Sequence, residues 1–251
     1  MYINLEKAKE EFLNYTKNYD LNDKNIDRKV WHSIRVMELS LDIAKKMNLN
    51  EEDIEIAGAI GLLHDLGRFD QFTKYQTFSD LDSFDHGDYA VELLNKDIRK
   101  YIETDKYDTI IKKAIKNHNK FEIEEGLNER ELFFAKLIRD ADKLDILYEA
   151  SCIFWAGEEY KVNESDFNSE LLNIFFNKQL TKHKKNVKYI GIDAVIIMFT
   201  LIFDINFKES FEILKNEDYI NKTSDRFNIK DKETLLKVRE FAINYINDSI
   251  I

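Results

Sequence analysis

Proline is absent from the 251-residue chain and glycine is scarce, with seven residues. These two residues form most of the tight turns that connect short strands in β-sandwiches and β-barrels, so such folds are disfavoured. Apolar residues still make up 44% of the chain, which is enough for a substantial core. The predicted fold class is all-α.

Cysteine is almost as rare. Cys152 is the only one, so no intrachain disulfide can form, and a cytoplasmic location is expected. The opening residues, MYINLEKAKEEF, carry charges where a secretory signal would have its apolar stretch. The longest apolar run, AVIIMFTLIF at 194–203, has ten residues, whereas roughly 20 are needed to cross a bilayer. This run predicts a buried helix, and no membrane partner is expected.

A basic surface is also lacking. Lysine and arginine number 37 against 48 aspartates and glutamates, which gives a net charge of −11, and the two signs alternate along most of the chain. A long nucleic acid is therefore not an expected partner. A homodimer stays open as an alternative to a monomer.

What the sequence does contain is a succession of helical patterns, read as one all-helical domain over 1–251 with a C-terminal helical extension at 165–251. A polar and aromatic connection without clear periodicity is predicted at 67–86, and a connection of that length is usually functional. The predicted helices span 2–18, 28–47, 51–66, 87–103, 106–119, 129–150, 165–182, 190–204, 207–216 and 231–249.

Three of these helices place polar side chains where the pattern requires apolar ones. His32 heads an apolar stripe in the helix at 28–47, His64 and Asp65 follow the apolar run AIGLL, and Asp142 continues a stripe in the helix at 129–150. Gly58 and Gly61 share the face of Asp65, which indicates that another helix or a bound group approaches closely there.

A buried ionised carboxylate needs a paired charge, a raised pKa or a metal ion. A single inward histidine is more often a hydrogen-bonded core residue, but two imidazoles and two carboxylates from separate helices favour a metal. Nitrogen and oxygen ligands without thiolates suit a divalent Zn, Mn, Fe, Co or Ni ion, whereas a structural zinc site usually contains cysteine.

The motifs around these residues resemble the HD superfamily of metal-dependent phosphohydrolases. WHSIRVMEL contains His32, LLHDLGRF contains His64 and Asp65, and RDADKLD contains Asp142. The resemblance covers about residues 28–150. It implies an all-α bundle, with a metal-binding core placed at 26–150, in which these four residues bind one divalent metal, with Mg also among the candidates.

RDADKLD offers two further carboxylates, Asp140 and Asp145. The helical phase and the family context both favour Asp142 as the ligand. Asp145 lies one turn further along the same face and could orient a ligand or a water molecule, whereas Asp140 is rotated away and is interpreted as a cap or ion-pair partner.

The resemblance also extends to His86 in SFDHGDYAVELL and His118 in IKNHNKF. Related proteins often use histidines in these contexts to bind a second metal or to contact the phosphate, and both roles stay open. Several two-metal relatives have adjacent histidines where this chain has His118 and Asn119. His183 is interpreted as an ordinary solvated residue.

The resemblance implies hydrolysis of a phosphate ester by a metal-activated water molecule, with a nucleotide or another small molecule as substrate. Asp65 could help to take the proton of the water, and His86 and His118 could protonate the leaving oxygen or stabilise the phosphoryl group. Arg68 is the preferred phosphate contact, while Arg35, Lys120 and Lys143 are weaker candidates.

Two alternative functions stay open. One is a two-metal phosphodiesterase, and the other is a catalytically idle, metal-containing domain that binds a nucleotide as a regulator. The sequence does not select the substrate, because the residues that choose it lie in connections of unknown geometry.

Overall fold

The computed structural model describes residues 2–152, 167–182, 192–226 and 230–251. Within these ranges the regular elements are all helical and no strand occurs, which confirms the all-α prediction. The α-helices are α1 (Leu5–Thr16), α2 (Lys24–Lys46), α3 (Glu51–Leu63), α4 (Leu66–Tyr75), α5 (His86–Tyr101), α6 (Asp108–Asn117), α7 (Glu129–Cys152), α8 (Ser169–Phe176), α9 (Ile192–Thr200), α10 (Lys208–Asn216), α11 (Tyr219–Arg226) and α12 (Lys232–Ile250).

The chain divides into two compact units, Met1–Asp142 and Lys143–Ile251, and the division falls within α7. The first unit contains all four predicted metal ligands. The domain bounds at 26–150 and 165–251 stay predictions. His183, and the ends of the predicted helices at residues 165, 166, 190 and 191, lie outside the described residues.

In the first unit, α3 packs directly against α2, and glycine makes this approach possible. A Cβ atom on Gly61 would lie 2.8 Å from the carbonyl oxygen of Val36 and 2.9 Å from the Cα of Met37. One on Gly58 would lie 2.8 Å from the Leu41 side chain. Of the two explanations expected for these glycines, the structure shows a neighbouring helix.

The predicted connection at 67–86 is wrong over its first half, which forms α4. Leu66, Phe69 and Phe72 recur every third residue and are buried, so the segment is an amphipathic helix with an aromatic face. It ends at Gln76, whose left-handed φ of 53° stops the helix. The remaining residues form a loop that contains one 3-10 turn, Asp80–Asp82.

The continuous helix predicted at 51–66 is also interrupted. Helix α3 ends at Leu63, and α4 begins at Leu66. His64 keeps helical dihedral angles, but Asp65 has a φ of −102° and a ψ of 17°, so the chain turns between the two helices. This turn places both side chains in the interior, with 0% and 2% of their surfaces exposed.

In the second unit, the apolar run at 194–203 is helical, as predicted. It forms α9 and a following 3-10 turn, Leu201–Asp204. The rings of Phe175, Phe203 and Phe241 pack nearby, with centroids 5.4 to 6.4 Å apart. Helix α11 was not predicted. Among the described helices, none is both long and apolar enough to cross a membrane.

Candidate metal centre

Four elements of the first unit bring the predicted ligands together. His32 lies in the buried face of α2, His64 caps the end of α3, Asp65 precedes α4, and Asp142 lies within α7. Two of these ligands are adjacent in sequence, but the others lie 33 residues before Asp65 and 77 residues after it. The helix packing therefore decides their convergence.

The donor atoms face one another at short range. His32 Nε2 lies 3.1 Å from Asp142 Oδ1 and 3.4 Å from Asp65 Oδ2. His64 Nε2 lies 3.5 Å from Asp65 Oδ2 and 3.7 Å from Asp142 Oδ1. Ligand atoms that each lie about 2.1 Å from one ion are separated by roughly 3.0 to 3.5 Å at ordinary coordination angles. His32, His64 and Asp142 have donor atoms that all lie within 4.8 Å of one another, as in a group able to hold one cation, and Asp65 lies against both imidazoles of this group.

The orientation of His64 is set by its own helix. Its Nδ1 donates a hydrogen bond of 2.8 Å to the carbonyl oxygen of Gly61, so the lone pair lies on Nε2. Among the described residues, this buried Nε2 has no hydrogen-bond partner. Burial lowers the pKa of His64, which keeps the ring neutral and able to bind a metal.

The two carboxylates are in the ionised form that a metal requires. Burial by itself would raise the pKa of Asp65, but Lys29, His64 and further hydrogen bonds outweigh burial and hold this pKa well below its usual value. Burial would likewise raise the pKa of Asp142, and His32 and His64 reverse the effect. The neutral imidazole of His64 beside ionised carboxylates fits a divalent cation.

A second group of donors surrounds the other oxygen of Asp65. His86 Nε2 lies 3.3 Å from Asp65 Oδ1, and His118 Nε2 lies 3.6 Å from the same atom. His86 is the first residue of α5 and His118 caps the end of α6. Each oxygen of Asp65 therefore faces a different pair of imidazoles.

The rings of His86 and His118 present lone pairs to each other. His118 Nδ1 donates to the carbonyl oxygen of Ile115, 2.6 Å away, and His86 Nδ1 donates to the carboxylate of Asp80, 2.7 Å away. Because carbonyl and carboxylate oxygens only accept, both Nε2 atoms are without a proton in the neutral rings. They lie 2.9 Å apart, an arrangement that requires a cation or a shared proton between them.

Two basic side chains reach Asp65. Lys29 Nζ lies 2.7 Å from Oδ2, and Arg68 Nε lies 3.5 Å from Oδ1. Arg68 is held in place, since its Nη1 also donates to Gln71, to the carbonyl oxygen of Phe78 and to Asp80. The aromatic ring of Phe78 lies 5.5 Å from Lys29 Nζ and 5.8 Å from Arg68 Cζ.

The weaker cationic candidates are placed differently. Lys120 forms ion pairs with Asp85 and Asp88, at 2.6 and 2.9 Å. Lys143 belongs to the second unit, where its largely buried ammonium group lies 2.7 Å from Asp204. Each of these lysines is engaged by carboxylates outside the four-residue ligand set.

Residues 30–147 match the family model of the HD domain, and this segment contains every ligand described above. The chain contains an HD domain. The resemblance predicted from the three motifs is thereby confirmed. Searches of the curated proteins and of the solved structures found no match to this chain.

Several residues of the HD domain centre were not predicted from the sequence. Lys29 lies one helical turn before His32, so its inward position could have been inferred from helical periodicity. The positions of Asp80 and Gln71 could not be inferred from periodicity. Asp80 lies in a loop, and Gln71 lies in α4, a segment that was predicted as irregular. Asn119 was noted only as a departure from two-metal relatives.

Proposed function

We propose that this HD-domain protein is a metal-dependent phosphohydrolase that cleaves a phosphate ester of a small molecule, with a nucleotide as the expected substrate. The observation that carries the proposal is the convergence of the His32 imidazole and the neutral His64 imidazole on the ionised carboxylates of Asp65 and Asp142, at 3.1 to 3.7 Å. The HD domain is typical of metal-dependent phosphohydrolases, and His32, His64 and Asp142 form a group able to hold a metal ion.

These four residues would hold the ion. A divalent ion bound there would activate a water molecule and polarise a phosphoryl oxygen at neutral pH. The identity of the ion stays open among Mn, Co, Ni, Fe, Zn and Mg, because nitrogen and oxygen donors are compatible with each of them. The protein supplies fixed ligand directions and a site that is nearly closed to bulk water.

The basic residues would attract and orient the phosphate. The protein has a net charge of −11, so an anionic substrate depends on local positive charge. Lys29 and Arg68 supply two such charges within 3.5 Å of Asp65, and the hydrogen bonds to Gln71 and Asp80 prevent Arg68 from swinging away. We infer that these two side chains stabilise the phosphoryl oxygens of the substrate.

Two roles were predicted for His86 and His118, namely proton transfer and binding of a second metal. Burial, followed by the charge of Arg68, lowers the pKa of His86 to about 3, so the ring is neutral at neutral pH and its Nε2 carries no proton for a leaving group. Its Nε2 also faces the Nε2 of His118 at 2.9 Å. Both observations favour the role of cation ligands, with Asp65 shared between two sites.

This second donor group makes a two-metal phosphodiesterase the second candidate function. In this group, the Nε2 atoms of His86 and His118 and the Oδ1 of Asp65 lie 2.9 to 3.6 Å from one another. Paired divalent ions are suited to clamping the attacking and leaving oxygens of a phosphodiester as well as those of a monoester. The two candidates share the first cation site and differ in the second.

A panel of substrates tests the proposal. Protein loaded with Mn, Co, Ni or Zn is assayed against nucleoside mono-, di- and triphosphates, simple phosphomonoesters and bis-p-nitrophenyl phosphate. We expect hydrolysis of at least one ester. Asp142→Asn should lower this activity by at least roughly 10- to 100-fold, because that is the loss caused by removing a residue that only hydrogen-bonds to a metal ligand. Asp97→Asn is the matched control, because this aspartate is exposed and pairs with the equally exposed Lys100 at 3.0 Å.

The outcomes of this panel separate the candidate functions. Preference for monoesters favours the first function, and preference for the diester with two metal equivalents favours the second. Wild-type activity in Asp142→Asn would refute the assignment of the site. Tight nucleotide binding without turnover of any ester would instead establish the regulatory alternative.

A further inference from the structure

Asp80 is the meeting point of side chains from three separate segments next to the HD domain centre. Its Oδ1 accepts hydrogen bonds from Arg68 at 3.1 Å and from Gln71 at 2.8 Å. Its Oδ2 accepts from His86 at 2.7 Å and from Asn119 at 2.9 Å. Four donors thus converge on one carboxylate that lies in the 3-10 turn after α4.

This carboxylate determines the state of His86. Because an ionised carboxylate only accepts, His86 must carry its proton on Nδ1, and the lone pair is then on Nε2. The hydrogen bond also fixes the plane of the ring, so that Nε2 points at Asp65 Oδ1 and at His118. A carboxylate that holds a metal-binding histidine in this way both orients it and raises its basicity.

Asn119 supports the same arrangement. Its amide nitrogen donates to Asp80 Oδ2 and to Asp85 Oδ1, each at 2.9 Å. The side chain is thus turned toward the two aspartates. The amide therefore anchors Asp80, while His118 alone of this adjacent pair faces Asp65.

We propose that Asp80 is the positioning residue of a second cation site formed by His86, His118 and the Oδ1 of Asp65. Asp80 holds the Nδ1 proton of His86, and Gln71, Arg68 and Asn119 hold Asp80. The proposal rests on the proposed metal centre but does not depend on which ester is cleaved. The first site, built from His32, His64 and Asp142, should bind its ion independently, because Asp80 accepts its hydrogen bonds from Arg68, Gln71, His86 and Asn119.

Asp80→Asn tests this role with almost no change in shape. A single amide oxygen cannot accept from all four donors. If it keeps the hydrogen bonds of Arg68 and Gln71, the amide nitrogen faces His86 Nδ1 and donates to it, which moves the ring proton to Nε2 and blocks that ligand atom. We expect affinity for the second cation to fall by roughly 10- to 100-fold, as for other outer partners of metal ligands.

The experiment is a calorimetric titration of metal-free protein with Mn²⁺ and with Co²⁺. Wild type should bind two equivalents, and Asp80→Asn should retain the first and lose affinity for the second. Asp82→Asn is the matched control, since Asp82 lies on the same 3-10 turn and accepts a hydrogen bond from the Ser79 hydroxyl at 2.7 Å. This control should titrate as wild type does.

Nitrogen-15 NMR of the histidine rings provides a readout that general destabilisation would not produce. In metal-free wild type, the His86 resonances should show the Nδ1-protonated tautomer, and in Asp80→Asn they should shift toward the Nε2-protonated form. If Asp80→Asn does not fold, Asn119→Ala removes one anchor and leaves the carboxylate in place. It should show the same changes at smaller amplitude.

The outcomes are distinguishable. Identical titrations of wild type and Asp80→Asn would overturn the role of Asp80. A wild type that binds only one equivalent would overturn the second site and leave the proposed hydrolase intact. A wild type that binds no divalent ion would overturn the proposed metal centre itself, and this inference with it.

Discussion

Replacing Lys29 by methionine should destabilise the metal-free protein strongly and the metal-loaded protein only slightly. The Lys29 ammonium lies 2.7 Å from Asp65 Oδ2, and the two side chains are 12% and 2% exposed. Methionine has a similar length and no charge, so the substitution removes the closest positive charge and keeps most of the packing. It leaves a buried carboxylate beside neutral imidazoles.

The magnitude follows from the burial of this pair. Removing one partner of a buried ion pair costs about 3 to 5 kcal/mol, because the remaining charge is uncompensated. The lower end, about 3 kcal/mol, applies here, since the Arg68 guanidinium, 3.5 Å from Oδ1, also stabilises the Asp65 carboxylate. A bound divalent ion would replace the missing charge, so the cost should shrink to about 1 kcal/mol or less.

Urea unfolding followed by circular dichroism, in EDTA and in saturating Mn²⁺ or Co²⁺, measures both values. The matched control is Lys74→Met, which breaks an exposed pair with Asp70 and should change stability by about 0.5 kcal/mol or less in either condition. An equal loss for Lys29→Met with and without metal would refute the reasoning. So would a loss no larger than that of the control.

Three further outcomes are expected. Gly61→Ala should lower the free energy of unfolding by about 1 to 3 kcal/mol in denaturant titrations, because the new methyl group would press on the backbone of α2. A gain in stability would show that α2 and α3 can separate. Arg139→Met should lower the melting temperature and the affinity for a second cation. The buried Arg139 guanidinium donates to the carbonyl oxygens of Asn117 and Lys120, on either side of His118. Unchanged metal binding would contradict the role of Arg139 in positioning the His118 ring. Stability of the metal-free protein should fall by about 1.4 kcal/mol per pH unit below pH 6.5 for each histidine that cannot be protonated when folded. His86, with its pKa lowered to about 3, is one such residue, and the unfolded chain takes up the proton first. A His86→Gln variant with the slope of wild type would exclude this contribution.

The helical class and the ligand set were both accessible from the sequence, for a local reason. Helical periodicity is visible within a few turns, so a histidine or an aspartate in an apolar stripe marks itself as inward-facing. This reasoning selected His32, His64, Asp65 and Asp142, and the structure brings all four together. Their metal-binding role stays a prediction that the titrations test.

Prediction from local sequence patterns was wrong around Asp65, where a turn lies directly between two helices. The segment after Asp65 was predicted as irregular because its polar residues obscure a short aromatic stripe, and packing of Phe69 and Phe72 in the core makes it α4. The break between α3 and α4 was missed for the same reason. A continuous apolar run does not indicate at which residue a helix ends and the chain turns.

The sequence by itself determined that the chain is helical, that it contains an HD domain and that particular imidazoles and carboxylates point inward. Only the tertiary structure decided which atoms of those groups meet. The proton of His86 lies on Nδ1 because Asp80 is there to accept it, and Asp65 is ionised because Lys29, from another helix, lies 2.7 Å away. Tautomers and charges depend on partners that are distant in sequence, so the chemistry of this centre is settled by helix packing.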